Sequence, residues 1–414
     1  MKSPLRIGFI GTGFISKFHA KAIAQCRNID ITAVFTRSGS ESFIKLCSEL
    51  GVGEVRNCLS IKELCNYVDA VAIYAPNDFR IEHLEEIAAA KKAGAPVIGV
   101  ITEKPLARTV NEGRRILEIV KLSGLKTAYF ENQIYMNTIQ AQRNQLIPMM
   151  EKMGSLSLVR SSEEHGGPHN AWFWDPKIQG GGVLSDMGCH SIAVGWYLLT
   201  PPGKDLKFLK PISVTCNVAC LKWGKKPWAA ELKKKYNVDF TATPSEDFAT
   251  GMITFENPDT KERSIAQFTD SWMYEKQGLR LLMDGSGPGY AFEINTLISP
   301  LQIFISDMCA EAIGNSELAL EKSTASRGLL TVQANEADLY GYTDENRDAA
   351  ESFANGKDAL LNFDFGFEIT RLVLASYLSA EKKTTVDLTD PKTLAELENY
   401  VPLIQQGRGR EVLF

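Results

Sequence analysis

The 414-residue sequence predicts two domains in series. The first is an α/β domain with a doubly wound parallel sheet. The second is an α+β domain with an open, mostly antiparallel sheet. Three observations predict this. A chain this long exceeds one ordinary core. To about residue 131, short β-rich runs alternate with stretches of helical periodicity, the signature of parallel strands covered on both faces. After about residue 153 the alternation stops and longer strands follow one another. The expected division is 1–133 and 134–414, with the C-terminal helices able to pack back on the first domain.

LRIGFI (5–10) is the first strand, and residues 14–26 carry apolar positions at helical spacing. ITAVF (31–35) precedes a helix over Ser42–Leu50. DAVAIYAP (69–76) lacks a polar alternate face and reads as a buried strand, followed by the helix DFRIEHLEEIAAAKKAG (78–94). PVIGVI (96–101), the helix VNEGRRILEIVKLSG (110–124) and LKTAYFE (125–131) complete the series. Gly94 and Gly124 stand where helix C-terminal caps belong.

In the second half, LSLVRSSEE (156–164), ISVTCNVACLK (212–222), FATGMITFE (248–256), RSIAQFTDSWMY (263–274) and LRLLMDG (279–285) read as strands without regular helices between them. FATGMITF and SIAQFTDSW are apolar on both alternating sets, so neither face reads as fully solvated. The expected cover is a second copy of the chain, giving a homodimer or homotetramer. The alternative cover is residues 222–245 and 306–346 folding over the sheet. Residues 222–245, lysine-rich with interleaved acids, read as a surface insertion. DENRDAAESFANG (344–356) and FGFEITRLVLASYLSAEK (365–382) read as helices.

Hydrophobic residues at 44%, charged residues at 23% and a net charge of −5 fit a globular enzyme. No basic block marks a nucleic-acid partner, and no apolar run reaches membrane-spanning length. MKSPLRIGFIGTG enters a strand at once without a cleavable apolar stretch, so the expected location is cytoplasmic. The cysteines (26, 47, 58, 65, 189, 216, 220 and 309) form no C-x-x-C pair and read as reduced thiols.

Gly11, Gly13 and Ser16 form a G-x-G-x-x-S turn between the first strand and the first helix, with Phe14 and Ile15 inside it. Gly11 permits the tight turn, Gly13 lets backbone approach a pyrophosphate, and Ser16 is small enough for helix–strand packing. Free N–H groups and the positive end of the helix dipole complete a dinucleotide site, so this is a Rossmann domain. The second strand ends in Thr36, Arg37 and Ser38. NAD sites commonly carry a carboxylate there. A guanidinium in its place suits a 2′-phosphate, so the reading of NAD(H) or NADP(H) leans slightly to NADP(H), unless Arg37 only stacks on adenine.

Lys104 follows a strand and precedes Pro105, which places it at the carboxyl edge of the sheet where ligands bind. Asp186 and His190 lie four apart after Gly180, Gly181 and Gly182. A helix there puts both side chains on one face, and the glycines suit close approach to a ligand. A His beside an Asp is a general-base candidate, because imidazole titrates near neutrality. His165 and His169 sit among Gly166, Gly167 and Pro168, which oppose the helix that a His-x-x-x-His metal site needs, so no metal is expected. That segment reads as a substrate loop. In it Trp172 and Trp174, with Phe173 between them, serve either as sugar-stacking platforms or as core.

The glycine turn, TEKPLA (102–107), WFWDPKIQGGGVLSDMGCH (172–190) and FGFEITRLVLASYLSAEKKTTVDL (365–388) resemble the glucose–fructose oxidoreductase / inositol dehydrogenase (Gfo/Idh/MocA) family over nearly the whole chain. The resemblance implies that Lys104, Asp186 and His190 are catalytic. It also implies cofactor contacts at Ala75, Pro76, Asn77, Glu103 and Lys104, and substrate contact at Asp186. Arg80 replaces a frequent His, and Ala193 stands where many members carry an acid. The implied activity is NAD(P)-dependent oxidation or reduction at a secondary hydroxyl or ketone of a sugar or cyclitol. His190 would take the hydroxyl proton, Lys104 would stabilise the alkoxide, and Asp186 would orient substrate or imidazole. Alternatives are a redox-neutral glycosidase or lyase working through transient oxidation, and a non-catalytic cofactor sensor.

Overall fold

In a computed structural model of the protein, residues 4–275, 278–298, 302–305, 328–331 and 335–414 are described. They form two compact units. One comprises 1–137 with 337–370, and the other 138–336 with 371–414. The expected division was 1–133 and 134–414 with the C-terminal helices able to pack back on the first domain, and the late segment 337–370 does join the first unit. The reason is apolar: Ala349, Ala350, Phe353 and Ala359 are buried in the same core as Phe9, Ile31, Phe43 and Ile101. Burial of a side chain such as Phe353 stabilises by roughly 1.5–3 kcal/mol.

The first unit holds six parallel strands: β1 (Leu5–Ile10), β2 (Ile29–Phe35), β3 (Arg56–Asn57), β4 (Ala70–Ile73), β5 (Gly99–Glu103) and β6 (Lys126–Phe130). Their order is β3-β2-β1-β4-β5-β6. The chain reverses direction across the sheet between β3 and β4, so a crevice is expected at the carboxyl ends of β1 and β4. β4 is buried at all four positions, as an apolar run without alternation requires. Helices α1 (Phe14–Ile23), α2 (Glu41–Leu50), α3 (Ile61–Cys65), α4 (Arg80–Lys92) and α5 (Val110–Ser123) form the crossovers. Thr109 caps α5 by accepting from the Glu112 amide, and Gly124 ends it in the left-handed conformation, φ +63°.

The second unit is built on a seven-stranded mixed sheet. Its strands are β7 (Leu158–Glu164), β8 (Lys210–Ala219), β9 (Phe248–Glu256), β10 (Arg263–Ser271), β11 (Arg280–Gly287), β12 (Tyr290–Asn295) and β15 (Val386–Asp387). The order is β12-β11-β7-β10-β9-β8-β15. Only β7 and β10 run parallel. Two short strands, β13 (Gln302–Ile305) and β14 (Gly328–Thr331), pair separately. Helices do interrupt this series. The apolar helix Cys189–Leu199 is buried throughout. It packs close to β10, where a Cβ on Gly195 would stand 2.9 Å from that of Ala266. Residues 226–236, expected as irregular insertion, form the helix Lys226–Tyr236.

The two faces of β9 and β10 differ in burial, and neither is fully solvated. Ala249, Ile253, Phe255, Ala266 and Phe268 are buried. The opposite set holds Phe248, Thr250, Thr254, Ile265 and Thr269, all half-buried, with Gln267 exposed and Met252 40% exposed. Thr250 Oγ1 donates to the Phe268 carbonyl at 3.1 Å and lies 2.9 Å from Thr269 Oγ1. Of the alternative cover, residues 306–327 and 332–334 lie outside the described residues, as does Cys309. The seven described cysteines are all free thiols. No helix among the described residues is long and apolar enough to cross a membrane.

Candidate active site

At the end of β1 the chain turns through Gly11, φ +104°, whose amide donates to the Phe35 carbonyl at 2.9 Å. A Cβ there would stand 3.1 Å from the Tyr74 carbonyl, so the convergence of β1, β2 and β4 requires glycine. Gly13 differs. Its backbone is extended at φ −71°, and a Cβ on it would meet nothing within 4 Å. It precedes α1, whose N-terminus carries no side-chain cap. Phe14 and Ile15 are half-buried at the first helical positions. Ser16 is buried and donates to the Gly11 carbonyl at 3.0 Å, closing the loop. An uncapped helix start behind an unobstructed glycine fits a pyrophosphate.

The end of β2 presents hydroxyls instead of a carboxylate. Thr36 Oγ1 lies 3.4 Å from Thr12 Oγ1 and 3.2 Å from Ser38 Oγ. Arg37 lies over the Phe79 ring at 4.7 Å and pairs with Glu82 at 3.1 Å. A carboxylate therefore does reach this corner, from α4, where reading along β2 alone misses it.

Ala75, Pro76 and Asn77 form the turn after β4, with Asn77 buried. Arg80, noted in sequence only as a departure, holds this turn to the next. Its guanidinium donates to the carbonyls of Pro105 and, at 3.1 Å, Leu106, and to Asn77 Oδ1 at 3.3 Å. Burial lowers its pKa to about 10, which leaves it charged at neutral pH. Lys104 is half-buried on the turn it braces, and the Lys104–Pro105 peptide is cis.

Glu103 is anchored by His19, a residue missed in the sequence. His19 is fully buried and stacks on Tyr74 and Phe130, with ring centroids at 4.6 and 5.1 Å. Asn346 Nδ2 donates to the Tyr342 carbonyl at 2.8 Å and to His19 Nδ1 at 2.9 Å. Nδ1 therefore accepts, and Nε2–H donates to Glu103 Oε1 at 2.7 Å. Glu345 places a third potential metal ligand within 4.8 Å of these atoms. Burial, then Glu103 and Glu131, push its carboxyl well above the ordinary range. Through these contacts the cluster positions the Glu103 carboxylate. The available signal was spacing: His19 lies three residues beyond Ser16 on the same helix.

In the second unit, Asp186 lies in a π-helical turn, Leu184–Gly188, that runs into the helix bearing His190. Such turns recur at functional sites. Both side chains are buried, at 3% and 4% exposure. Ser191, next to His190, donates to Asp270 Oδ1 at 2.7 Å and ties the helix to β10. Burial raises the Asp270 carboxyl well above its usual range. Ala193 is fully buried.

The glycine run before Asp186 serves packing, not the ligand approach expected of it. A Cβ on Gly181 would stand 2.7 Å from Cζ of Tyr377, and one on Gly182 2.8 Å from the Glu246 carboxyl carbon. Two substrate-loop residues also prove internal. Trp174 is 1% exposed and packs edge-to-face on Trp223, Trp272 and Phe240, so it is core. His165 is buried, and its Nδ1 accepts from the Gly167 amide at 3.0 Å, shaping its own loop. His169 and Trp172 are half-buried, the latter stacked on Phe173 at 3.8 Å.

Family comparison agrees with this arrangement. Residues 5–130 match the family model for the oxidoreductase family, NAD-binding Rossmann fold, GFO_IDH_MocA. Residues 150–287 match the GFO/IDH/MocA C-terminal domain. The chain is 26% identical over 396 residues to the D-glucoside 3-dehydrogenase of Escherichia coli K12, covering 93% of this chain and 98% of that protein. It is 26% identical over 218 residues to the inositol 2-dehydrogenase of Rhizobium meliloti, covering 52% and 59%. Among solved structures, GenD2 from gentamicin A biosynthesis in complex with NAD superposes with a TM-score of 0.71 at 19% identity, covering 94% and 97%.

Proposed function

The chain belongs to the Gfo/Idh/MocA oxidoreductase family, and from that premise we propose that it oxidises a secondary hydroxyl of a glucoside, sugar or cyclitol. The observation that carries this reading is its match to a D-glucoside 3-dehydrogenase over 93% of its length; the sequence pattern around Lys104, Asp186 and His190 supports it. The bound nicotinamide dinucleotide supplies the hydride acceptor. His190 accepts the hydroxyl proton, Asp186 orients the imidazole or the sugar, and the Lys104 ammonium stabilises developing alkoxide charge. Gly11, Gly13, Phe14, Ile15 and Ser16 hold the pyrophosphate, and Thr36 and Arg37 border the adenosine ribose. Ala75, Pro76, Asn77 and Glu103 line the nicotinamide side. Trp172 and His169, half-buried, are the substrate-loop residues left to meet a sugar.

Glu82 already occupies the Arg37 fork. A 2′-phosphate would meet that carboxylate, which supports NAD(H) over the NADP(H) lean of the sequence. The chain works in the cytoplasm as a homo-oligomer through the threonine-rich sheet face in this reading. Light scattering tests the assembly: a species at the chain mass of 45.8 kDa refutes it.

The test is incubation with NAD⁺ and a panel of D-glucose, methyl glucosides and inositols. Steady accumulation of reduced cofactor is expected. Glycoside cleavage with no net reduction replaces this reading with the redox-neutral one. Cofactor binding without either reaction leaves a sensor.

A further inference from the structure

Three successive amides at the start of the helix that bears Asp186 and His190 all end on one residue. Gly182 N–H donates to Glu246 Oε1 at 2.9 Å, Val183 N–H to the Glu246 carbonyl at 3.0 Å, and Leu184 N–H to Oε1 at 3.0 Å. A helix start leaves its first N–H groups without intrahelical acceptors, and a buried start needs partners from elsewhere. Here a single residue supplies them: the Glu246 carboxyl takes the Gly182 and Leu184 amides and its backbone carbonyl takes that of Val183, at the end of the dipole that favours negative charge. The Tyr377 hydroxyl donates to the same oxygen at 2.5 Å and lies 3.2 Å from the Gly182 amide. Glu246 itself is completely buried.

The packing leaves the arrangement no slack. Neither Gly181 nor Gly182 has room for a Cβ against Tyr377 and Glu246. The Asp186 amide in turn donates to the Gly182 carbonyl at 3.0 Å, so the residue clamped by Glu246 also starts the turn that carries Asp186. The next residue along the chain gives an internal contrast. The Asp247 carboxylate gathers the amides of Leu221, Lys222 and Trp223 at 2.6, 2.8 and 2.7 Å. One carboxylate thus serves the catalytic helix, and its neighbour serves a loop that carries none of the proposed chemistry.

We infer that Glu246, held by Tyr377, is a positioning residue that sets the Asp186–His190 helix in register for proton transfer. This rests on the function proposed above. A shift of about 1 Å at a reacting group can cost on the order of 10²-fold in rate. Glu246→Ala removes the acceptor for two amides. Glu246→Gln keeps one accepting oxygen at the same place. Tyr377→Phe removes only the hydroxyl.

The experiment compares these full-length variants, loaded with NAD⁺, on whichever panel sugar the wild type turns over. Glu246→Ala is expected to lose about 10²-fold in kcat with little change in the Kd for NAD⁺. Glu246→Gln is expected to recover most of that loss, and Tyr377→Phe to lose several-fold. Histidine NMR reads the same effect without turnover: the His190 resonance moves in Glu246→Ala and returns in Glu246→Gln. Asp247→Asn, which disturbs the other loop, should lower stability and leave kcat and the His190 resonance alone.

A folded Glu246→Ala with kcat within twofold of wild type overturns the inference. So does a Glu246→Gln as damaged as the alanine variant. If Glu246→Ala does not fold, Tyr377→Phe decides, and an unchanged kcat with an unmoved His190 resonance overturns the inference. A wild type that oxidises no sugar defeats the proposed function instead, and the NMR comparison still judges the role of Glu246.

Discussion

Two glycine-rich turns in this molecule look alike in sequence and differ in what their missing side chains are for. At Gly13 the space is open: the backbone is ordinary, and a Cβ would meet nothing within 4 Å. At Gly181 and Gly182 the space is filled by Tyr377 and Glu246. The first turn is shaped for something brought from outside, the second for the protein's own interior. Glycine runs near a site are therefore poor evidence of ligand approach until their neighbours are known.

The comparison predicts opposite failures. Gly13→Leu should abolish NAD⁺ binding, measured by cofactor fluorescence, while thermal unfolding stays near wild type, because φ −71° suits any residue. Unchanged affinity would remove the distinction between the turns. His190→Ala should lower kcat by about 10²–10⁴-fold with the dinucleotide still bound, since it belongs to the second region alone. Near-normal turnover would refute its role.

Gly182→Ala should reverse the first pattern. Overpacking against Glu246 costs about 1–3 kcal/mol or more, read as a lowered Tm. Intact stability would mean that the interior can give way there. Glu246→Gln sharpens the same region through pH. Burial raises the Glu246 carboxyl from 4.5 to about 7, against its hydrogen bonds. An acid raised on folding favours the native state while protonated, and that advantage fades as pH rises through the folded value. The Tm of Glu246→Gln relative to wild type should therefore rise between about pH 4.5 and about 7 and level off above. A flat difference across that range would show that Glu246 does not titrate there. The smallest effect is at the adenosine end. Arg37→Ala should change NAD⁺ affinity only a few-fold and leave NADP⁺ no weaker than before. A selective loss of NADP⁺ would restore the 2′-phosphate reading.

Most of the first unit was legible because parallel strands buried on both faces leave long apolar runs, and some crossover helices mark their ends with caps. DAVAIYAP and the Thr109 and Gly124 boundaries are of this kind. The second unit was legible mainly as strands. The helix Lys226–Tyr236 was hidden because lysine-rich, weakly amphipathic stretches resemble insertions.

Sequence alone determined the local spacings on which the proposed chemistry rests: Gly11, Gly13 and Ser16 in one turn, Lys104 before Pro105, and Asp186 four before His190. Such spacings survive because a turn or helix converts them directly into geometry. Tertiary structure decided the partners that come from far along the chain. Asn346 orients His19 across 327 positions, Glu82 reaches Arg37 across 45, and Glu246 meets Gly182 across 64. No local periodicity encodes these pairings. They arise when buried polar groups must find acceptors and donors within the folded chain, because water no longer serves them.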